Sequence, residues 1–166
     1  IEDGHKTVED LTKVPAGSSL DNTVGEWATR MGVDRDEHPI AGLGIWGDSA
    51  AFNTRNGLFV MLWNILTGIL RDRMVFCAFT KSQCCQCGCF GRCTFDAVWR
   101  VMAWSLRVLL AKVYPTHRHD GIRFKDSKRP GDKKRAECGK NKKPTNLIAA
   151  AVQKRGDWQW YKQGLN

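Results

Sequence analysis

The sequence has no apolar run long enough to cross a membrane, and it has no apolar segment near its first residue. Its longest run, Leu58 to Leu66, is interrupted by Asn64, whereas a membrane-spanning helix needs about 20 apolar residues. The opening residues, IEDGHKTVED, are charged and lack the apolar region of a secretory signal. No internal repeat is present, which argues against a repeat array. We therefore expect a soluble, intracellular protein, with the nucleus as one candidate compartment.

Cysteine does not occur in the even, spread-out pattern of a secreted disulfide scaffold. The chain has seven cysteines, and five of them fall between Cys84 and Cys93. An odd and tightly clustered set argues against a disulfide framework. Metal binding or a reducing compartment explains this set better.

The apolar segments predict one α/β domain at residues 39–161, after a weakly ordered lead-in at 1–38 and before a short tail at 162–166. Strands are predicted at Ile40–Trp46, Leu58–Ile65, Met74–Thr80 and Leu147–Gln153, although the alanines of the last segment also permit a helix. Short connections predict that the first three form an antiparallel meander. A helix between Thr94, as its N-cap, and Pro115 would cross over to place strand four parallel to strand one. The result is a mixed sheet with one main helix.

Two Gly-Asp pairs follow two of the predicted strands. Asp48 comes after the first strand and Asp157 after the fourth. If these strands are parallel neighbours, both carboxylates lie at the edge of the sheet where open sheets place their chemistry. Carboxylates bind Mg²⁺ or Mn²⁺, and two such ions can support phosphodiester cleavage. The alternative is that both aspartates bind backbone N–H groups in turns.

The cysteine-rich loop at residues 84–93 predicts a metal site. Four thiolates arranged as a tetrahedron suit Zn²⁺, and the glycines at positions 88 and 91 permit the necessary turns. His117 or His119 could replace one cysteine. Free thiols, one local disulfide or an iron–sulfur cluster are the alternatives. The predicted ligands are Cys84, Cys87, Cys89 and Cys93.

A basic insertion follows the main helix. Residues 117–143 carry eleven Lys and Arg residues against four Asp and Glu residues, within a chain of net charge +9. With almost no aromatic side chains, the segment suits phosphate contacts better than base stacking. The predicted partner is nucleic acid or another polyanion, and the alternative is a solvated loop. The candidate phosphate ligands are Lys128, Arg129, Lys133, Lys134, Arg135, Lys140, Lys142 and Lys143.

Three stretches carry a resemblance to known proteins. They are GIWGDSAAFNTRNGLFVMLWNIL, CGCFGRCTFDAVWRVMAWSLRVLL and RGDWQWY. In these stretches the chain resembles uncharacterised, multi-copy, transposon-like proteins of dinoflagellates over roughly Pro39 to Tyr161. The activity of that family is poorly defined, so this resemblance implies a transposon-derived origin and little more.

The chain is also similar, more distantly, to the RNase H-like fold of transposases and integrases. That fold places its first catalytic aspartate on strand one and its second after strand four, which implies those roles for Asp48 and Asp157. Its third acidic residue lies in a later helix, and the last nine residues here contain no Asp or Glu. We therefore expect a truncated domain, active or inactive.

These observations lead to three expectations for function. The first is a transposase-like or nuclease-like domain that binds nucleic acid. The second is a non-enzymatic, zinc-stabilised binding module. The third is a structural subunit whose basic insertion docks on a larger protein assembly.

Overall fold

The computed structural model of this chain describes residues 7–53, 56–68, 73–89, 91–140 and 147–156. Its helices are α1 (Val8–Thr12), α2 (Ser19–Met31), α3 (Arg92–Leu110) and α4 (Asp132–Lys140). Its strands are β1 (Ile40–Asn53), β2 (Asn56–Ile65), β3 (Met74–Thr80) and β4 (Ile148–Gly156). None of the helices in this part of the chain has the length and apolarity that a membrane span requires.

The four strands form one mixed sheet in the order β3-β2-β1-β4. β2 runs antiparallel to both β1 and β3, whereas β4 runs parallel to β1. Parallel pairing needs a long crossover connection, and α3 and α4 lie in that connection. The structure therefore confirms the predicted α/β fold with its antiparallel meander and its parallel fourth strand.

The main core lies between the sheet and α3. Phe95 and Met102 of α3 are buried there with Ile45, Phe59 and Met61. The ring of Phe95 meets that of Phe59 edge-on, with 5.3 Å between the ring centroids, which is a favourable arrangement for aromatic rings. The apolar stripe of α3 is thus core-facing, as its helical spacing predicts.

The opposite face of the sheet is covered by α2, in a region expected to be weakly ordered. Val24 and Ala28 of α2 are buried against Ile40 and Ile148. The Ser18 hydroxyl accepts the N–H of Asp21 at the start of this helix, and the helix ends at a left-handed glycine at position 32. These capping signals outweigh the scarcity of large apolar side chains in the segment.

β1 is longer than predicted. The prediction that the strand ends at Trp46 is wrong, because the ladder continues through Gly47, which pairs with Met61 of β2 and Gly156 of β4. Asp48 therefore lies within the strand, opposite Val60, and not at its tip. The other predicted strands agree closely with β2, β3 and β4.

α3 begins earlier than predicted. Its N-cap is Gly91, which has a φ of 88°. Glycine adopts this left-handed conformation without steric strain because it has no Cβ. The predicted N-cap, Thr94, lies inside the helix, and its hydroxyl oxygen accepts a hydrogen bond from the backbone N–H of Cys85 instead.

The basic insertion contains regular secondary structure, since α4 occupies its second half. Its first half contains a single β-bridge between His117 and Arg123, followed by a 3₁₀ turn.

Candidate metal centre and basic surface

The cysteine-rich loop joins a 3₁₀ turn, Lys81–Gln83, to the start of α3. Gly88 and Gly91 adopt φ values of 84° and 88°, a left-handed conformation that other residues occupy with strain. The bond from the Cys85 N–H to the Thr94 hydroxyl, 2.9 Å long, ties the loop to the first turn of α3. These constraints bring separated cysteines together.

Four thiols of this loop form a cluster that we call the cysteine quartet. Its members are Cys85, Cys87, Cys89 and Cys93, and all four Sγ atoms lie within 4.8 Å of one another. The Sγ of Cys85 is 3.3 Å from that of Cys87 and 3.0 Å from that of Cys89. The Sγ of Cys93 is 3.8 Å from that of Cys87 and 3.6 Å from that of Cys89. All four are free thiols.

These separations fit a tetrahedral metal ion. A zinc ion with Zn–S bonds of about 2.3 Å holds its sulfur atoms roughly 3.8 Å apart at tetrahedral angles. A disulfide would need two sulfur atoms at about 2.05 Å, and the quartet has no pair that close. Four cysteines within nine residues could thus hold a metal such as Zn²⁺ with only small side-chain movements.

The electrostatics of the quartet lower the pKa of Cys89 and raise the pKa values of Cys87 and Cys93. The neighbouring Cys85 thiol and the Cys93 N–H lower the pKa of Cys89 to about 6. The same proximity raises the pKa of Cys93 to about 12, because Cys89 and Cys87 favour its protonated form. Thiolates at such short range repel one another, and a bound divalent cation would reduce that repulsion.

Three of the four predicted ligands belong to the quartet, and Cys85 takes the place that was expected for Cys84. The Cys84 side chain packs against the core cluster of Phe95, and its thiol lies 3.9 Å from the Thr80 carbonyl oxygen. Burial raises the pKa of Cys84, which disfavours the thiolate that a metal needs. The spacing of Cys84 and Cys87 is typical of a zinc knuckle, but Cys84 packs against the apolar core and is not available as a ligand.

The other candidate ligands lie elsewhere. The ring of His119 stands edge-on to Trp104, in the second half of α3. His117 Nδ1 is 2.7 Å from the Thr116 hydroxyl oxygen, within the basic insertion. Cys77 belongs to β3 and packs against the core, and Cys138 belongs to α4. Within the described residues the quartet is therefore built from three loop cysteines and Cys93 of the first turn of α3.

Of the two predicted catalytic aspartates, Asp48 lies within the described residues and Asp157 does not. Asp48 is exposed on β1, and its neighbour Gly47 is paired in parallel with Gly156. Asp157 directly follows Gly156 in the sequence but lies outside the described residues. The structure thus places one carboxylate of the expected pair and the strand end that precedes the other.

The basic insertion presents an exposed cationic surface. The predicted phosphate ligands that the structure describes are all exposed: Lys128, Arg129, Lys133, Lys134, Arg135 and Lys140. Lys142 and Lys143 lie outside the described residues. α4 contributes four of the six, and we call this set the basic surface. These four lie on a helix, whereas the alternative prediction for this segment was a solvated loop.

A buried ionic network supports the basic surface, and the sequence analysis did not identify it. Asp132 is 1% exposed and accepts a bond of 2.7 Å from Arg135. Arg118, 8% exposed, lies 3.9 Å from the same carboxylate and bonds to Asp120. The Ser127 hydroxyl and the Arg135 guanidinium lower the pKa of Asp132. A lone Asp among lysines gave no sequence signal of burial.

Comparisons with known proteins add no assignment, because no protein family, curated protein or solved structure matches this chain.

Proposed function

We propose that this chain is a zinc-stabilised nucleic-acid-binding domain without catalytic activity. The observation that carries the proposal is the cysteine quartet, whose four Sγ atoms lie within 4.8 Å of one another at the start of α3. Structural zinc sites in proteins are closed sites of four such ligands. A closed site has no open position for substrate, so the metal would serve the fold and not a reaction.

The zinc would fix the orientation of α3. Cys93 lies in the first turn of α3, whereas Cys85, Cys87 and Cys89 precede the helix. One ion bound to all four therefore links the loop to the helix at its N-terminal end. The loop contains few apolar side chains of its own, so metal binding would supply much of its free energy of folding.

The basic surface would contact the phosphates. Trp104 and Val108, near the C-terminal end of α3, line a cavity with Arg129 and Arg135 of the basic surface. The cations themselves belong to α4 and to the residues just before it, so they meet the C-terminal half of α3 along this cavity. Exposed Lys and Arg side chains of this kind bind the phosphate backbone in a salt-dependent way.

The test is the salt dependence of nucleic-acid binding, measured by fluorescence anisotropy. We expect the double variant Lys133→Gln/Lys134→Gln to reduce the slope of log K against log salt by roughly 1.4 for single strands, which is two phosphate contacts. The matched control is Lys13→Gln/Arg30→Gln, which removes the same charge from α2 and the residues before it. An equal loss of slope in both variants would assign the binding to net charge alone and contradict the proposal.

A second candidate is a metal-dependent nuclease of RNase H-like ancestry, in which Asp48 and Asp157 would hold Mg²⁺ or Mn²⁺. The parallel pairing of Gly47 with Gly156 favours it, since each glycine is followed by one of these aspartates. The strand order β3-β2-β1-β4 is compatible with that fold. The transposon-like origin suggested by the sequence motifs belongs to this candidate.

The nuclease candidate is tested with the Asp48→Asn variant and Mn²⁺. We expect the substitution to abolish nicking of plasmid DNA, while Glu26→Gln, an exposed carboxylate on α2, leaves nicking unchanged. Nicking that persists in Asp48→Asn, or that is absent from the wild-type protein, removes this candidate. A lack of affinity for DNA and RNA even at low salt would instead favour a structural subunit of a larger assembly.

A further inference from the structure

A second cavity, of about 730 Å³, lies between α4 and the chain segment that precedes it. Residues 116–127 form one of its walls, and one face of α4 forms the other. We call it the α4 cavity. Phe124, which is buried, lines both this cavity and the one that Trp104 lines, and the two cavities share no other described residue.

The first wall is a small hairpin. His117 and Arg123 face each other in an antiparallel bridge, and the N–H of Phe124 donates a hydrogen bond of 3.1 Å to the carbonyl oxygen of Thr116. The chain turns back at Gly121, whose φ of 81° suits glycine. The hairpin therefore fixes the backbone of His117 and Arg123, two of the residues that line the cavity.

The second wall is one face of α4. Lys133, Ala136, Glu137 and Lys140 all line the cavity, and their spacing of three and four residues places them on one side of a helix. Lys134 belongs to the same helix but is not part of the lining. α4 thus contributes two lysines to the cavity and leaves a third outside it.

The two walls are attached to each other at both ends of α4. Near the C-terminal end, a Cβ at Gly139 would lie 2.6 Å from the carbonyl oxygen of Pro115, so glycine allows the helix to approach the hairpin closely. At the N-terminal end, the buried carboxylate of Asp132 lies 3.9 Å from the guanidinium of Arg118, which belongs to the hairpin. The cavity is therefore formed by the fold itself, and a ligand would not have to order it.

The charges on these walls favour an anion with more than one charge. Four exposed cations within reach of a ligand line the cavity, and Glu137 is the only acidic residue among the described residues there. The cations are Arg123, Lys125, Lys133 and Lys140. Cations held around one space repel each other, so a bound anion would be stabilising. An internal phosphate of a nucleic acid carries one negative charge, whereas a phosphate monoester carries about −1.5 to −2 at neutral pH and has three acceptor oxygens.

We propose that the α4 cavity binds the terminal phosphate of a nucleic-acid strand, at its 5′ or its 3′ end. The phosphate oxygens would accept hydrogen bonds from Arg123 and from the two lysines of α4, and the rest of the strand would leave along the basic surface. The inference therefore rests on the proposed nucleic-acid binding and adds recognition of a strand end to it. Arg123 and Lys125 would be phosphate ligands that the sequence analysis did not identify.

The test measures binding of short oligothymidine strands by fluorescence anisotropy, with the fluorophore on an internal thymine so that both ends are free. The strands carry a 5′-phosphate, a 3′-phosphate or hydroxyl groups at both ends. We expect at least one phosphorylated strand to bind at least about fivefold more tightly than the hydroxyl-ended strand, and the tighter of the two identifies the end that is recognised.

A hydroxyl-ended strand that is about two nucleotides longer matches the charge of the phosphorylated strands and controls for charge alone. It should bind less than about twofold more tightly than the shorter hydroxyl-ended strand. Equal affinity for this longer strand and for both phosphorylated strands would overturn the end site and leave the proposed function standing. No binding of any strand would overturn both.

Two substitutions on α4 that remove the same charge separate the cavity from general electrostatics. Lys133→Gln should abolish most of the preference for the phosphorylated strand, whereas Lys134→Gln, outside the lining, should weaken binding of all strands alike and keep the preference. Glu137→Gln, which removes a carboxylate from the lining, should increase the preference, and Glu26→Gln on α2 should not change it. All four side chains are exposed, so the fold should tolerate these changes, and circular dichroism checks this. An equal effect of Lys133→Gln and Lys134→Gln on the preference would contradict the proposal.

Discussion

The backbone N–H of Cys93 donates a hydrogen bond to the Sγ of Cys89, with an N···S distance of 3.4 Å. This bond joins the first turn of α3 to the loop before it. An N–H donor stabilises a thiolate acceptor, and the first turn of a helix favours negative charge. The chain therefore positions two members of the quartet, Cys89 and Cys93, in relation to each other through its own backbone.

Zinc binding should depend on Cys85 and not on the adjacent Cys84. We expect the protein, purified under reducing conditions, to bind about one zinc ion per chain. Cys85→Ser should lose the metal because Cys85 belongs to the quartet, and Cys84→Ser should keep it because that thiol faces the core. Mass spectrometry under native conditions measures the stoichiometry directly.

A chelator should lower the melting temperature of the wild-type protein, since metal binding contributes to folding. Cys138→Ser serves as the control, because this thiol on α4 lies outside the quartet. A folded wild-type protein that contains no metal and does not respond to added zinc would falsify the zinc proposal.

The thiols of the metal-free quartet should react at very different rates. The neighbouring Cys85 thiol and the Cys93 N–H lower the pKa of Cys89 to about 6 from its ordinary value of 9.0. Its thiolate therefore forms as the pH rises through about 6 and is lost again as the pH falls below it. Cys93, with a pKa raised to about 12 by Cys89 and Cys87, stays protonated over the same range.

Alkylation by iodoacetamide, followed by peptide mass spectrometry, measures this difference. We expect Cys89 to be modified first at neutral pH, with a rate that rises through about pH 6. Added zinc should protect all four positions. Equal rates for Cys89 and Cys93, or a midpoint near 9 for both, would contradict the expectation.

The sheet could be predicted from sequence because its strands carry strong local signals. β3 was predicted at its observed bounds, Met74–Thr80, since it is a short apolar run between turn residues. The parallel pairing of β4 with β1 followed from the helix between them. The end of β1 could not be predicted, because Gly47 looks like a turn and the ladder through Met61 and Gly156 depends on distant partners.

The metal centre could be predicted in position and only in part in its ligands. Cys87, Cys89 and Cys93 were identified from their clustering. The choice between Cys84 and Cys85 depends on which thiol packs against the core, and no local pattern encodes that contact. The burial of Asp132 and Arg118 was missed for the same reason, because polar residues in a basic segment resemble solvated ones.

The buried network beneath the basic surface makes unequal contributions to stability. We expect Arg118→Met to lower the free energy of unfolding by about 3 kcal/mol, since it removes a buried partner of Asp132 and Asp120. Arg135→Met should cost less, about 2 kcal/mol, because it removes the 2.7 Å partner of the buried Asp132 carboxylate but leaves a space that water can enter, since the Arg135 side chain is 61% exposed. Urea denaturation followed by circular dichroism measures both values.

The contribution of Asp132 to the free energy of unfolding should change with pH in the acid range. The Ser127 hydroxyl and the Arg135 guanidinium lower its pKa from the ordinary value of 3.8. The stabilisation is therefore complete above pH 3.8 and disappears as the pH falls through the lowered pKa. The difference in the free energy of unfolding between wild type and Arg135→Met should therefore shrink over that acid range. Equal losses for Arg118→Met and Arg135→Met at neutral pH would show that burial does not govern this network.

Gly44 of β1 and Gly57 of β2, two glycines in the antiparallel pairing of these strands, should differ in their tolerance of substitution by alanine. A Cβ at Gly44 would lie 2.7 Å from the Oδ1 of Asn64, which accepts a hydrogen bond of 2.6 Å from the Trp46 indole. We expect Gly44→Ala to displace Asn64, break this partly buried hydrogen bond and lower the free energy of unfolding by about 2 kcal/mol.

Gly57→Ala is the matched control, on the neighbouring strand. Its Cβ would meet its nearest neighbour, the Ala50 carbonyl oxygen, at 3.6 Å, which is ordinary contact, so stability should change by at most about 0.5 kcal/mol. Guanidinium denaturation of both variants measures the difference. If Gly44→Ala is tolerated as well as Gly57→Ala, Asn64 can move without loss. Its bond to Trp46 would then not be needed to hold β1 and β2 in register beside Asp48.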